Sequence, residues 1–118
     1  MEKEQKIREE LAGLPLKQQV GLWVILRLDN VLSEKFSFYS SEFADKFKKF
    51  IEESVRSNQS VYGKLVGGVL SGLSRNRLLI KISSGRDARW ILEKKIKDNC
   101  ELYKQLLFEI KIYWPEEV

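Results

Sequence analysis

The chain has no histidine, one cysteine and two prolines in 118 residues. Without histidine it lacks the commonest general base and the commonest metal ligand. Its lone Cys100 can form no internal disulfide, which fits a reducing compartment, and it has no histidine to activate it as a nucleophile. No acidic stretch has the spacing of a calcium loop. The composition therefore argues against an enzyme and calls for no cofactor, metal or small-molecule substrate. Long apolar runs are missing too: none reaches the roughly 18–20 residues that span a bilayer. The N-terminal "MEKEQKIREE" is charged with both signs and no apolar signal core follows it. An intracellular protein is predicted: cytoplasmic, or with the nucleoid or nucleus if it binds DNA.

What is present is the composition of a globular domain, 43% apolar and 32% charged. At this length one domain is predicted over 1–118. The net charge of +4 is unevenly placed. Residues 1–59 balance ten cations with ten carboxylates. Residues 60–97 carry nine Lys/Arg against Asp87 and Glu93, a sum of +7, and residues 98–118 sum to −3. Clustered positive charge is the footprint of a polyanion partner, although a solvated basic face has the same composition.

Hydrophobic spacing predicts a charged helix over 2–12 with Ile7 and Leu11 on one stripe, ended by "GLP" at 13–15. A greasy helix is predicted from Leu16 to about Leu32, with Val20, Trp23, Val24, Leu28 and Val31 on one face. Alternation in "FSFY" suggests a short strand. Ser40 or Ser41 then caps a helix reaching about Val55, with Phe43, Phe47 and Phe50 inward. "RSNQS" reads as a turn. The next helix runs from a Ser60 cap through Leu65, Val69 and Leu73 to "SRN", where Asn76 is suited to a left-handed terminal position. "RLLIKIS" and "RWIL" read as two strands of a hairpin around "SGRDA". In the tail, Asp98 and Glu101 have capping-box spacing. Helix is favoured to about residue 109, although Phe108, Ile110, Ile112 and Trp114 also alternate as a strand does.

Five of the seven glycines fall in 61–92, and Gly63, Gly67, Gly68 and Gly72 lie within one helix. Each is expected to weaken that helix by roughly 1 kcal/mol against alanine. They match neither a Walker A loop nor G-x-G-x-x-G. Two readings remain: close packing against another helix, or a bare helix face that something large must approach.

The order helix, strand, helix, turn, helix, strand, loop, strand over 16–92 resembles the winged-helix family of helix-turn-helix domains. The resemblance is carried by "SVYGKLVGGVLSGLSRNRLLIKIS" with Leu70, Leu73, Leu78, Leu79 and Ile80, then the basic loop and "RWIL". It implies a mainly α fold with a small three-stranded sheet, flanked by helical extensions at 1–15 and 93–118. It also implies double-stranded DNA as partner, with the helix at 61–75 in the major groove and the wing at 83–89 on the backbone or minor groove. Carried over, the DNA-binding residues are Ser60, Tyr62, Gly63, Lys64, Gly67, Ser71 and Arg75 on the helix. Arg77, Arg86 and Arg89 join them around the wing, and Gly68 and Lys81 extend the footprint. A transcriptional regulator or a chromatin or replication accessory is implied. The same fold also serves as a protein-interaction module, and exposure or burial of Gly67, Gly68 and Ser71 discriminates the two.

Ile96, Cys100, Tyr103, Leu107, Ile110 and Trp114 repeat at the spacing of a coiled-coil seam. A homodimer through this C-terminal helix is expected; the alternative is that the helix folds back over the greasy helix at 16–32. A rival architecture takes "LLIKISS" and "FEIKIYW" as strands flanking a helix over 86–107, as in an α/β sandwich.

Overall fold

A computed structural model of the chain describes residues 2–31, 33–54 and 62–110, with side chains for all of these except 51–54, 62–65 and 110. The elements are α1 (Glu2–Ala12), α2 (Leu16–Ile25), β1 (Phe38–Tyr39), α3 (Ser40–Ser54), α4 (Tyr62–Arg75), β2 (Leu79–Ser83), β3 (Arg89–Leu92), α5 (Lys94–Asp98) and α6 (Cys100–Ile110). The fold is mainly helical with a small antiparallel sheet ordered β1-β3-β2. No helix among the described residues is long and apolar enough to cross a membrane.

Proline separates the first two helices as predicted. Pro15 starts α2, and its carbonyl accepts from the amides of Gln18 and Gln19. The buried Gln19 side chain donates to the Leu11 carbonyl at 2.7 Å, which joins the end of α1 to α2. The predicted extent of α2 is corrected: it stops at Ile25 and not near Leu32. Leu26 and Leu28 still donate to Leu22 and Ile25, but Asn30 turns to φ 63° and the chain leaves the helix. The Asp29-Asn30 pair has turn chemistry that outweighs the apolar periodicity. Leu26, Leu28 and Val31 stay buried without being helical.

The hairpin reading is correct and the 86–107 helix of the rival architecture is overturned, because Arg89–Leu92 is a strand paired on both sides. Phe38 faces Trp90 and Tyr39 faces Arg89 across one ladder. Leu79 faces Leu92, Ile80 faces Ile91 and Lys81 faces Trp90 across the other, with a register irregularity between Lys81 and Ser83. Alternation sends Phe38, Leu79, Trp90 and Leu92 into the core and leaves Tyr39, Ile80 and Ile82 exposed on the outer face.

The helices meet over one buried cluster. α2 packs on α3, α4 and α6, α3 packs on α4, and α4 packs on β2. At the α2–α4 crossing a Cβ on Gly21 would collide with Val69, so that glycine exists for close packing. Phe43 and Phe47 stack at 5.1 Å beneath it.

The tail is two helices, broken at Asn99, whose side-chain amide donates back to the Lys95 carbonyl at 2.8 Å. The capping box predicted at Asp98 and Glu101 is therefore displaced: Asp98 ends α5. α6 reaches Ile110, so helix and not strand holds up to that point. Residues 111–118 lie outside the described residues. Ile96, Cys100, Tyr103 and Leu107 do lie on one side, but that side is buried within the chain. α6 packs on α1 and α2, held by Arg8–Glu109 at 2.7 Å and by the Tyr103 hydroxyl donating to Glu10 at 2.8 Å. Lys95 reaches the other oxygen of Glu10 at 3.0 Å. The expectation that these four residues face a second copy is corrected on this point. The short α1, too polar to bury itself, supplies the partner surface the seam needs. Only the backbone of Ile110 is described.

Candidate nucleic-acid interface

α4 has two different sides. Val66, Val69, Leu70 and Leu73 are buried, and Gly67, Gly68, Ser71 and Arg75 are exposed. A Cβ placed on Gly67 or Gly68 meets nothing within 4 Å. Gly72 is different: a Cβ there would strike the side chain of Gln18 on α2. Of the glycines tested by the structure, Gly72 therefore follows the packing reading and Gly67 with Gly68 form a bare face. α6 lies against α1 and α2 and does not cover that face. Tyr62, Gly63 and Lys64 form the first turn of α4, their side chains undescribed, and Ser60 lies outside the described residues.

The C-terminus of α4 is closed by a Schellman motif. The Leu78 amide donates to the Leu73 carbonyl at 2.9 Å and the Arg77 amide to the Ser74 carbonyl at 3.0 Å. The left-handed residue is Arg77, at φ 60°, which corrects the expectation that Asn76 takes it. Asn76 instead uses its side-chain amide, donating to Gln18 Oε1 at 2.7 Å and to the Gly72 carbonyl at 3.0 Å. Leu73 and Leu78 are both fully buried, the apolar contact that accompanies this cap. The turn thus points Arg77 out while aiming Leu79 inward.

The loop between β2 and β3 is built by Gly85, at φ 127°, and by Asp87. Asp87 accepts from the Ser41 amide at 2.9 Å and the Ser41 hydroxyl at 2.6 Å. The α3 N-terminus is therefore capped from the β2–β3 loop, and the serine-hydroxyl cap expected there is corrected. Ser40 is engaged elsewhere: its hydroxyl donates to the Ala88 carbonyl and accepts from Trp90 Nε1. Glu42 reaches back to accept from the Tyr39 amide at 3.1 Å, as a capping box does. Arg86 lies exposed between Gly85 and Asp87.

The strands divide the remaining cations. Arg89 is on the outer face, donating from Nε to Ser37 at 2.9 Å and lying 5.8 Å from the Tyr39 ring. Lys81 lies on the core side, 5.6 Å over the Trp90 ring. Arg89 is thus turned away from the helical side of the sheet, and Lys81 is turned toward it. Sequence reasoning gave Lys81 less weight than Arg89. The signal was there in the alternation from buried Leu79. Over residues 66–92 the exposed cations are Arg75, Arg77, Lys81, Arg86 and Arg89, and the one carboxylate, Asp87, is bound to Ser41.

Among the described residues no group of three His, Cys, Asp or Glu side chains is placed to hold a metal. Cys100 is buried, and that burial pushes its thiol pKa up, away from the reactive thiolate. No family model matches the chain, and no curated protein or solved structure matches it significantly.

Proposed function

We propose that the protein is a winged-helix DNA-binding protein that binds duplex DNA through α4 and the loop between β2 and β3. The observation that carries this reading is the bare face of α4, with Gly67, Gly68 and Ser71 exposed and left open by the described residues, on a helix that ends in the cationic Arg75–Arg77 turn and leads into the hairpin that carries Arg86. Mid-helix glycines are unfavourable; of Gly67, Gly68 and Gly72 in α4, packing accounts for Gly72 alone, and close approach of a phosphate backbone accounts for Gly67 and Gly68. Arg75, Arg77, Lys81 and Arg86 supply the phosphate contacts, with Lys64 at the start of α4. The chemistry is binding alone. Self-pairing through α6 is not part of this reading, because the apolar seam is used within the chain.

A second reading, a protein-interaction module, draws support from the outer sheet face. There Tyr39, Ile80 and Ile82 are 43%, 39% and 45% exposed. A gel-shift series with random duplex at two salt concentrations, run beside a sizing column, separates the two. The DNA reading expects a complex at low salt that weakens as salt rises. No complex at either concentration leaves the protein-interaction reading.

A further inference from the structure

Specific duplex recognition rests on side chains that form paired hydrogen bonds with base edges in the major groove: Arg or Lys on guanine, Asn or Gln on adenine, Asp or Glu on cytosine. Among the described side chains of α4, which begin at residue 66, the exposed side is poor in them. From residue 66 to the end of the helix it presents Gly67, Gly68, Ser71 and Arg75. Two of these have no side chain. A serine hydroxyl both donates and accepts, so it distinguishes bases weakly. Among the described residues, two carboxamides at the C-terminal end of this helix are already engaged: Asn76 is bound to Gln18 and to the Gly72 carbonyl, and Gln18 is the acceptor in that pair. Arg75 stands in the last turn, next to Arg77, where the chain leaves the helix. Lys64 is the one cation in the first turn.

Resting on the DNA-binding reading above, we infer that the protein binds duplex DNA without sequence preference, by close approach of the α4 backbone and by phosphate contacts. Its substrate class is double-stranded DNA of any sequence. The glycines remove side chains that would hold the helix off the duplex or commit it to one base pair. Contacts to phosphate fix position and carry no sequence information directly.

The test is competition. A labelled duplex of arbitrary sequence is bound at about 50 mM salt, where phosphate-driven affinity is high, and displaced by unlabelled poly(dA-dT), poly(dG-dC) and mixed-sequence duplex. The competitors are expected to agree within about threefold, since each paired base contact forgone removes about tenfold of discrimination. A parallel round of selection from a randomised duplex pool is expected to return no consensus. A preference of about a hundredfold for one competitor, or a recovered consensus, overturns the inference and leaves DNA binding itself standing. Failure of every duplex to bind overturns both. Gly67→Leu, bulky and unable to hydrogen-bond, is expected to weaken all competitors alike. Unchanged affinity for all of them places the contact elsewhere and overturns the role of this face.

Discussion

The carboxylate of Asp87 holds both the amide and the hydroxyl of Ser41, at 2.9 and 2.6 Å. One acidic residue in the β2–β3 loop therefore caps α3 and fixes the loop that carries Arg86. Loss of a helix N-cap costs typically about 1 kcal/mol. Asp87→Ala is predicted to lower stability by about that amount, read by urea denaturation. The loop should also gain mobility, seen as faster amide exchange at Gly85 and Arg86.

The glycines of α4 make contrasting predictions. Gly67→Ala and Gly68→Ala meet open space, so each should stabilise the protein by roughly 1 kcal/mol while weakening DNA binding. Gly72→Ala forces Gln18 aside and disturbs its bond to Asn76, so little of that gain should appear. Thermal melts and anisotropy titrations of the three variants check this. Equal stabilisation at all three positions would contradict the packing role of Gly72.

Arg77 takes a left-handed conformation that costs a side-chain-bearing residue roughly 1 kcal/mol relative to glycine. Arg77→Gly should therefore raise the melting temperature, and it should lower DNA affinity by removing one cation. A variant that is less stable would mean that the arginine side chain contributes contacts the cap geometry does not reveal.

Much of this was legible beforehand, because most elements announce themselves by period. Strand alternation in "RLLIKIS" and "RWIL" gave the hairpin, and the phenylalanine spacing gave α3. Two kinds of cause explain the differences: local turn chemistry at Asp29-Asn30 and at Asn99 ended helices early, and elsewhere a long-range partner overrode a local rule. Ser41 is capped by Asp87, 46 residues away, where local spacing pointed to a serine hydroxyl. The side-chain amide of Asn76 is held by Gln18, 58 residues away, and Arg77 takes the left-handed turn. The seam at Ile96, Cys100, Tyr103 and Leu107 is real as a period, but periodicity does not say which surface it meets. Only the fold supplies α1 as that surface.

Burial and then the hydrogen bond to Glu10 push the Tyr103 phenol pKa up from its ordinary value near 10. The folded state then keeps a proton that the unfolded chain loses. Stability from this group is complete below about pH 10 and falls as pH rises above it. Tyr103→Phe should flatten the decline in stability measured by denaturant titration above pH 10. An unchanged decline would assign the alkaline sensitivity to other groups.

In the proposed binding mode, duplex DNA is held by the cations beside α4 and not by net charge alone. The direct measurement is the slope of log binding constant against log salt concentration for three proteins: wild type, Arg75→Ala/Arg86→Ala, and Lys3→Ala/Lys6→Ala on α1. Each phosphate contact contributes about 0.9 to that slope. The account predicts that the Arg75/Arg86 pair reduces it by nearly two units, while the equally charged Lys3/Lys6 pair leaves it unchanged. Equal reductions in both variants, or binding that salt does not weaken, would contradict it.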